Sequence, residues 1–257
     1  MTRLAIPILC AAILAGIMGV TTLHAQEAST LPAQELASAR TGHEPVPALL
    51  APPMAIISDE AMDKPAAFPN LTAKWQRIDA QISNDAKRLD MCRHDAAACT
   101  GSEAMLIAMI DQVRGKEGRA RLGLINRAVN LAIRPESDMR RFGARDVWSA
   151  PLDTLTDAAG DCEDYAILKM LALQQAGVDP AELRLVIVRD TATQGDHAVL
   201  AARLDGRWVV LDNRGFMLVD FEDTRYALLA AFRTGPADQP IGLAHAPHDD
   251  RSAPGFM

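Results

Sequence analysis

One cysteine stands among carboxylates in Gly160-Asp161-Cys162-Glu163-Asp164-Tyr165-Ala166, where apolar spacing predicts the start of a helix over 162–176. A histidine follows at His197 and an aspartate at Asp212, each on a run of strand character. Cys, His and Asp in that order are the parts of an activated thiol: a nucleophile, a base, and a carboxylate that orients the base. A sulfur in a first helical turn gains from unpaired backbone N–H groups and the positive end of the helix dipole, both of which favour thiolate. His197 could take or share the proton, and Asp212 could hold the other ring nitrogen and fix the tautomer. Backbone N–H groups at the same helix start also suit a developing oxyanion. Each residue alone has a structural reading, as a packed thiol, a satisfied histidine or a strand-end carboxylate. The ordered set, with the thiol on a helix and its partners on consecutive strands, favours chemistry.

The flanking acids complicate this. Asp161, Glu163 and Asp164 surround the thiol with negative charge, which opposes thiolate formation. Two readings stay open. Acidic residues in a first turn cap the helix and complement its dipole. Alternatively they hold a hard cation such as Ca2+, which takes several carboxylate and carbonyl oxygens and would neutralise the repulsion. Asp161 and Asp164 are three apart and can share a face, whereas Glu163 points elsewhere, so chelation would also need loop oxygens.

The elements that must position these residues occupy only part of the 257-residue chain. Residues 1–25 carry Arg3, an apolar run from Leu4 to Val20 and a small-residue exit at Leu23-His24-Ala25, the pattern of a secretory signal peptide cleaved near Ala25. An uncleaved anchor is the alternative, but the apolar run is short for a span. Cys10 lacks the small preceding residue that lipoprotein processing needs. Residues 26–68 are rich in Ala, Pro, Ser and Thr and read as a flexible leader; residues 235–257, with four prolines, read as a disordered tail. The folded domain is expected over 69–234.

The formal charge is -7, and loss of Arg3 with the signal leaves the chain one unit more negative. With no basic cluster, it has few cations to pair with phosphates, so nucleic acids and anionic membranes are poor partners. Of four cysteines, Cys10 leaves with the signal. Cys92 and Cys99 are close enough to form a disulfide worth ~2–2.5 kcal/mol by loop closure in an oxidising compartment. A metal site using His94 is the rival reading, without an evident fourth ligand. Cys162 is then the odd thiol, which suggests that its reactivity matters.

Apolar spacing predicts helices over 70–91, from about Ser102 to Val113, and over about 119–133 with Leu124, Ala128 and Leu131 on one face. Thr72 or Asn70 could cap the first, and Pro135 ends the third. Residues 134–156 read as loop. After the Cys162 helix, stopped by Gly177, come β-like runs over 183–188, 198–204 and 208–211, with an Asp205-Gly206 hairpin turn and a short candidate strand over 216–221. Helices followed by an antiparallel sheet define an α+β domain.

The Cys162 box with Lys169, Asp196-His197-Ala198-Val199-Leu200, Leu211-Asp212-Asn213, Asn126-Arg127-Ala128-Val129-Asn130 and Trp148-Ser149-Ala150-Pro151 together resemble the bacterial transglutaminase-like cysteine proteases of the LapG type. The likeness spans about residues 70–232. It implies a papain-like core, N-terminal helices packed on an antiparallel sheet, with Cys162 as nucleophile, His197 as base and Asp212 as orienter. It also implies a periplasmic, Ca2+-dependent endopeptidase with Asp161, Glu163 and Asp164 in the calcium region. Such a protease cuts the N-terminal region of a large surface adhesin, controlling biofilm attachment, and is sequestered by an inner-membrane cyclic di-GMP receptor. Trp148 matches a tryptophan on a receptor-facing or site-flanking loop, with a core aromatic as the equal alternative. Transglutaminase-type acyl transfer uses the same triad and stays open, as does a catalytically silent binding module.

Overall fold

A helical hairpin formed by Pro69–His94 and Gly101–Gln112 starts the domain, and the turn between its helices is closed by the Cys92–Cys99 disulfide, with Cα atoms 4.8 Å apart. The fold is that of a computed structural model, which describes residues 57–63 and 68–235. The expected signal peptide, most of the leader and the tail after Gly235 lie outside the described residues.

In chain order the elements are α1 (Asp59–Met62), α2 (Pro69–His94), α3 (Gly101–Gln112), α4 (Gly118–Ala132), β1 (Arg134–Pro135), α5 (Asp138–Phe142), α6 (Pro151–Asp157), β2 (Ala159–Gly160), α7 (Cys162–Gln175), β3 (Leu183–Asp190), β4 (Asp196–Leu204), β5 (Arg207–Leu211), β6 (Val219–Asp220) and β7 (Tyr226–Phe232). A five-stranded antiparallel sheet has the order β6-β5-β4-β3-β7. One face carries Leu185, Ile187, Ala198, Leu200, Ala202 and Phe232, packed on α7 and the helices around it. Alternate residues Val186, Val188, Val199, Ala201, Trp208 and Val210 form a second core on the other face. With both faces covered, β3 and β4 read as nearly continuous apolar runs rather than alternating ones.

α7 is the central helix. Every residue from Cys162 to Leu173 is buried, the charged Glu163, Asp164 and Lys169 included, so the helix is covered on all sides. It lies against β4, β3, α4, α6 and α3. Two hydrogen bonds tie its surroundings together: Tyr165 Oη donates to Ile133 O at the end of α4 (2.6 Å), and Leu152 N at the start of α6 donates to Asp85 Oδ2 of α2 (2.9 Å).

Four expectations are corrected. Residues 134–156 are not a plain loop: β1 pairs in parallel with β2, and α5 and α6 follow it. The buried face of α4 is Leu122, Ile125, Asn126 and Val129, while Leu124 and Leu131 are 40% and 62% exposed. An asparagine in the inward stripe made the neighbouring stripe look the more apolar. α2 begins at Pro69, whose missing N–H costs nothing at a first helical position, and uses no Thr72 or Asn70 cap. Finally, residues 57–63 of the expected leader are packed. Ser58 caps α1, Met62 is fully buried in the second core, and Asp59 accepts from Trp208 Nε1 (3.1 Å) and pairs with Arg203 (2.7 Å).

Candidate active site

Cys162 is the first residue of α7, and Asp161 is its N-cap residue without using its side chain as a cap. The antiparallel hairpin explains why His197 and Asp212 approach each other. Asp205 (φ 52°) and Gly206 (φ 80°) both sit in the left-handed region that a tight two-residue turn requires. That turn sets Leu204 opposite Arg207 and Leu200 opposite Leu211, so the start of β4 faces the residues just after β5. His197 Nε2 lies 2.9 Å from Asp212 Oδ1. Asp212 also accepts from Arg214 N on Oδ1 (3.0 Å) and from Tyr226 Oη on Oδ2 (2.5 Å). Burial pushes the Asp212 carboxyl up, but these donors, with His197 foremost, outweigh it and hold it well below the usual carboxylate range.

Cys162 and His197 line one cleft of about 240 Å³ together with Glu136, Asp161, Asp196 and Arg214. The Ala198 N–H of β4 favours the charged form of the Cys162 sulfur, which lies in the same cleft as His197. The thiol itself donates to Glu163 Oε2 at 3.3 Å. Burial pushes the Cys162 thiol up, and the charges of Glu163 and Asp161 push it further, outweighing the Ala198 N–H. Burial and like charge therefore outweigh the helix dipole at this thiol.

The acids separate into two sets. Asp138, Asp161 and Glu163, all buried, present oxygens within 4.8 Å of one another. Both oxygens of Asp161, Oε1 of Glu163 and Oδ1 of Asp138 have no hydrogen-bond partner among the described residues. Buried carboxylate oxygens without donors are expensive, and a hard oxygen-seeking cation is the group that would satisfy them. Asp164 is not one of the set. Its Oδ2 accepts from Arg141 Nη1 (2.5 Å) and its Oδ1 from Ser149 N (2.9 Å), so it serves as a structural ion-pair partner. Asp138, supplied by α5, stands where Asp164 was expected; it also accepts from Val147 N. Gly160 is required by the same packing, since a Cβ there would lie 2.7 Å from Asp164 Cβ.

Other expectations resolve as follows. Trp148 is a core residue, 1% exposed, with its ring edge toward Phe232 and Nε1 donating to Asp146 Oδ1 (2.8 Å). His94 is exposed and the disulfide occupies both neighbouring cysteines, so no metal site forms there. The Asn126–Asn130 segment acts as a clamp: Asn130 Nδ2 donates to Asp212 O (2.8 Å) and Gly215 O (2.9 Å), and Asn126 Nδ2 to Gly215 O (3.1 Å). Two asparagines four apart, on or beside the apolar stripe of α4, were the available signal for that role. Lys169 is fully buried, with Nζ donating to Leu211 O (3.2 Å); burial lowers its pKa to about 7 despite the attraction of Asp212.

A helical layer carrying a cysteine at a helix start, against a sheet carrying a paired histidine and aspartate, is a transglutaminase-like cysteine protease core. Residues 80–239 match the family described as bacterial transglutaminase-like cysteine proteinase BTLCP, and the chain belongs to that family. The fold is also similar to that of calcium-bound LapG from Legionella pneumophila, at TM-score 0.51 and 22% identity over 64% of this chain and 93% of that one. EGTA-treated LapG from the same organism gives TM-score 0.47 and 22% identity over 57% of this chain and 80% of that one. No curated protein matches.

Proposed function

We propose that this cysteine protease is a calcium-dependent periplasmic endopeptidase with Cys162 as nucleophile, His197 as general base and acid, and Asp212 as orienter. The observation that carries this reading is the 2.9 Å His197–Asp212 contact in the same cleft as Cys162. Asp212 occupies Nε2, which leaves Nδ1 to serve the sulfur. The thiolate attacks a peptide carbonyl, His197 returns the proton to the leaving amine, and water then hydrolyses the thioester. The N–H groups at the start of α7 suit the oxyanion.

The orphaned oxygens of Asp138, Asp161 and Glu163 fit a calcium ion, and those three residues would hold it. When bound, such a cation would neutralise the carboxylates crowding the thiol. No helix among the described residues is long and apolar enough to cross a membrane. The boxes shared with LapG-type proteases support a large surface adhesin as substrate, cut in its N-terminal region, and an inner-membrane cyclic di-GMP receptor as partner.

The test is incubation of the purified protein, with calcium, with N-terminal fragments of large surface adhesins from its host. Wild type should cut; Cys162→Ala should lose at least about 10⁴-fold in rate with an unchanged melting temperature. Retained cleavage by Cys162→Ala would remove the nucleophile assignment. Mass spectrometry with an added primary amine separates hydrolysis from acyl transfer, since only the latter leaves the amine on the product.

A further inference from the structure

We propose that Tyr226 is a positioning residue of this site, fixing the Asp212 carboxylate and the His197 ring from a strand that carries none of the three catalytic groups. The proposal rests on the thiol-protease reading above. Tyr226 opens β7 and pairs with Asp190 of β3, so β3 and β4 lie between it and β5, the strand that leads into Asp212. Its hydroxyl nevertheless reaches Asp212 Oδ2 at 2.5 Å, while Oδ1 takes His197 Nε2 at 2.9 Å and Arg214 N at 3.0 Å. With donors on both oxygens, the plane of the carboxylate is set, and with it the direction in which the imidazole is held.

The same side chain also touches the base directly. The Tyr226 ring lies 5.7 Å from the His197 ring, centroid to centroid, at a tilt of 58°, which limits the swing of the imidazole. Arg214, the third donor to Asp212, is anchored in turn: its Nη1 lies 3.2 Å from Oδ2 of Asp190, the residue paired with Tyr226. The contacts therefore close on themselves around Asp212. The chain has two tyrosines, and Tyr165 is committed to Ile133 O, which leaves Tyr226 as the phenol directed at the catalytic carboxylate.

Tyr226→Phe keeps the ring and removes the hydroxyl. A hydrogen bond to a charged group carries enough energy that its loss should lower kcat about tenfold, with KM within about twofold of wild type. Tyr226→Leu, which also removes the ring, should lose more. A merely structural tyrosine would not alter the His197 imidazole N–H signal read by proton NMR well below the melting temperature. Tyr226→Phe should broaden or abolish that signal. Wild-type kcat in Tyr226→Phe, a change confined to KM, or an unchanged His197 signal would each overturn the proposal. The NMR signal is read without substrate, so it decides the matter for Tyr226 even if Cys162→Ala retained cleavage and the thiol-protease reading fell.

Discussion

At the scale of single residues, the site is dominated by charges held out of water. Lys169 illustrates the cost. Its ammonium is fully buried, with one carbonyl as hydrogen-bond acceptor, and burial lowers its pKa to about 7. In the unfolded chain the same group stays protonated up to about pH 10. As pH falls from there, the unfolded state binds a proton that the native state resists, so the native state loses stability until the native pKa is passed, and no more below it. Lys169→Met should therefore melt higher than wild type, by a margin that grows between about pH 10 and pH 7 and then levels off. Activity should fall, because Leu211 O, one residue before Asp212, loses its donor. Thermal melts and cleavage assays across that range check both halves.

At the scale of elements, α5 and the start of α7 are joined mainly through acids. Asp138 comes from α5, Asp161 and Glu163 from the first turn of α7, and Arg141 of α5 bridges Asp164 (2.5 Å) and Asp157 (3.0 Å). Calcium at about 100-fold over its dissociation constant would stabilise the protein by about 2.7 kcal/mol. EGTA should lower the melting temperature accordingly, and Asp138→Asn should blunt the response to added calcium. Asp164→Asn should leave that response largely intact while lowering stability in both conditions, because it removes the buried carboxylate paired with Arg141 and leaves only Asp157 and Asp138 to balance its charge. Calcium titrations followed by thermal melting distinguish the two variants. The same elements mark where the sequence was legible. Cys162, His197 and Asp212 sit on strongly patterned segments, and their order alone suggested their roles. Asp138 and Arg141 sit on a five-residue helix with too few turns to show a period, so neither stood out. β7, Tyr-Ala-Leu-Leu-Ala-Ala-Phe, is made largely of good helix formers and becomes a strand only because β3 offers it a ladder. Tyr226 went unseen with it.

At the scale of the whole molecule, the sheet is insulated on both sides. The helices cover one face, and α1 covers part of the other through Met62, fully buried against Val186, Val199 and Trp208. Met62→Ala should cost about 2–5 kcal/mol, a penalty of the kind seen for large core truncations, and chemical denaturation would measure it. A loss below about 0.5 kcal/mol would mean that residues 57–63 only rest on the surface. The composition of that stretch gave no warning, because Met62 with Ile57 and Ala61 beside it, set among acids over seven residues, makes a segment too short to leave a periodic trace.

The three groups proposed for catalysis are divided between the two layers: the sulfur rides on α7, while the imidazole and its carboxylate ride on the β4–β5 hairpin. Lys169 Nζ of α7, donating to Leu211 O of β5, is a tie between the two halves beside the site, and the gap between sulfur and imidazole is a gauge of how firmly helix and sheet are seated together. On the proposed mechanism, anything that lets them slide by an ångström should switch the enzyme off while leaving each layer folded, which makes the seam itself the part most exposed to small perturbations.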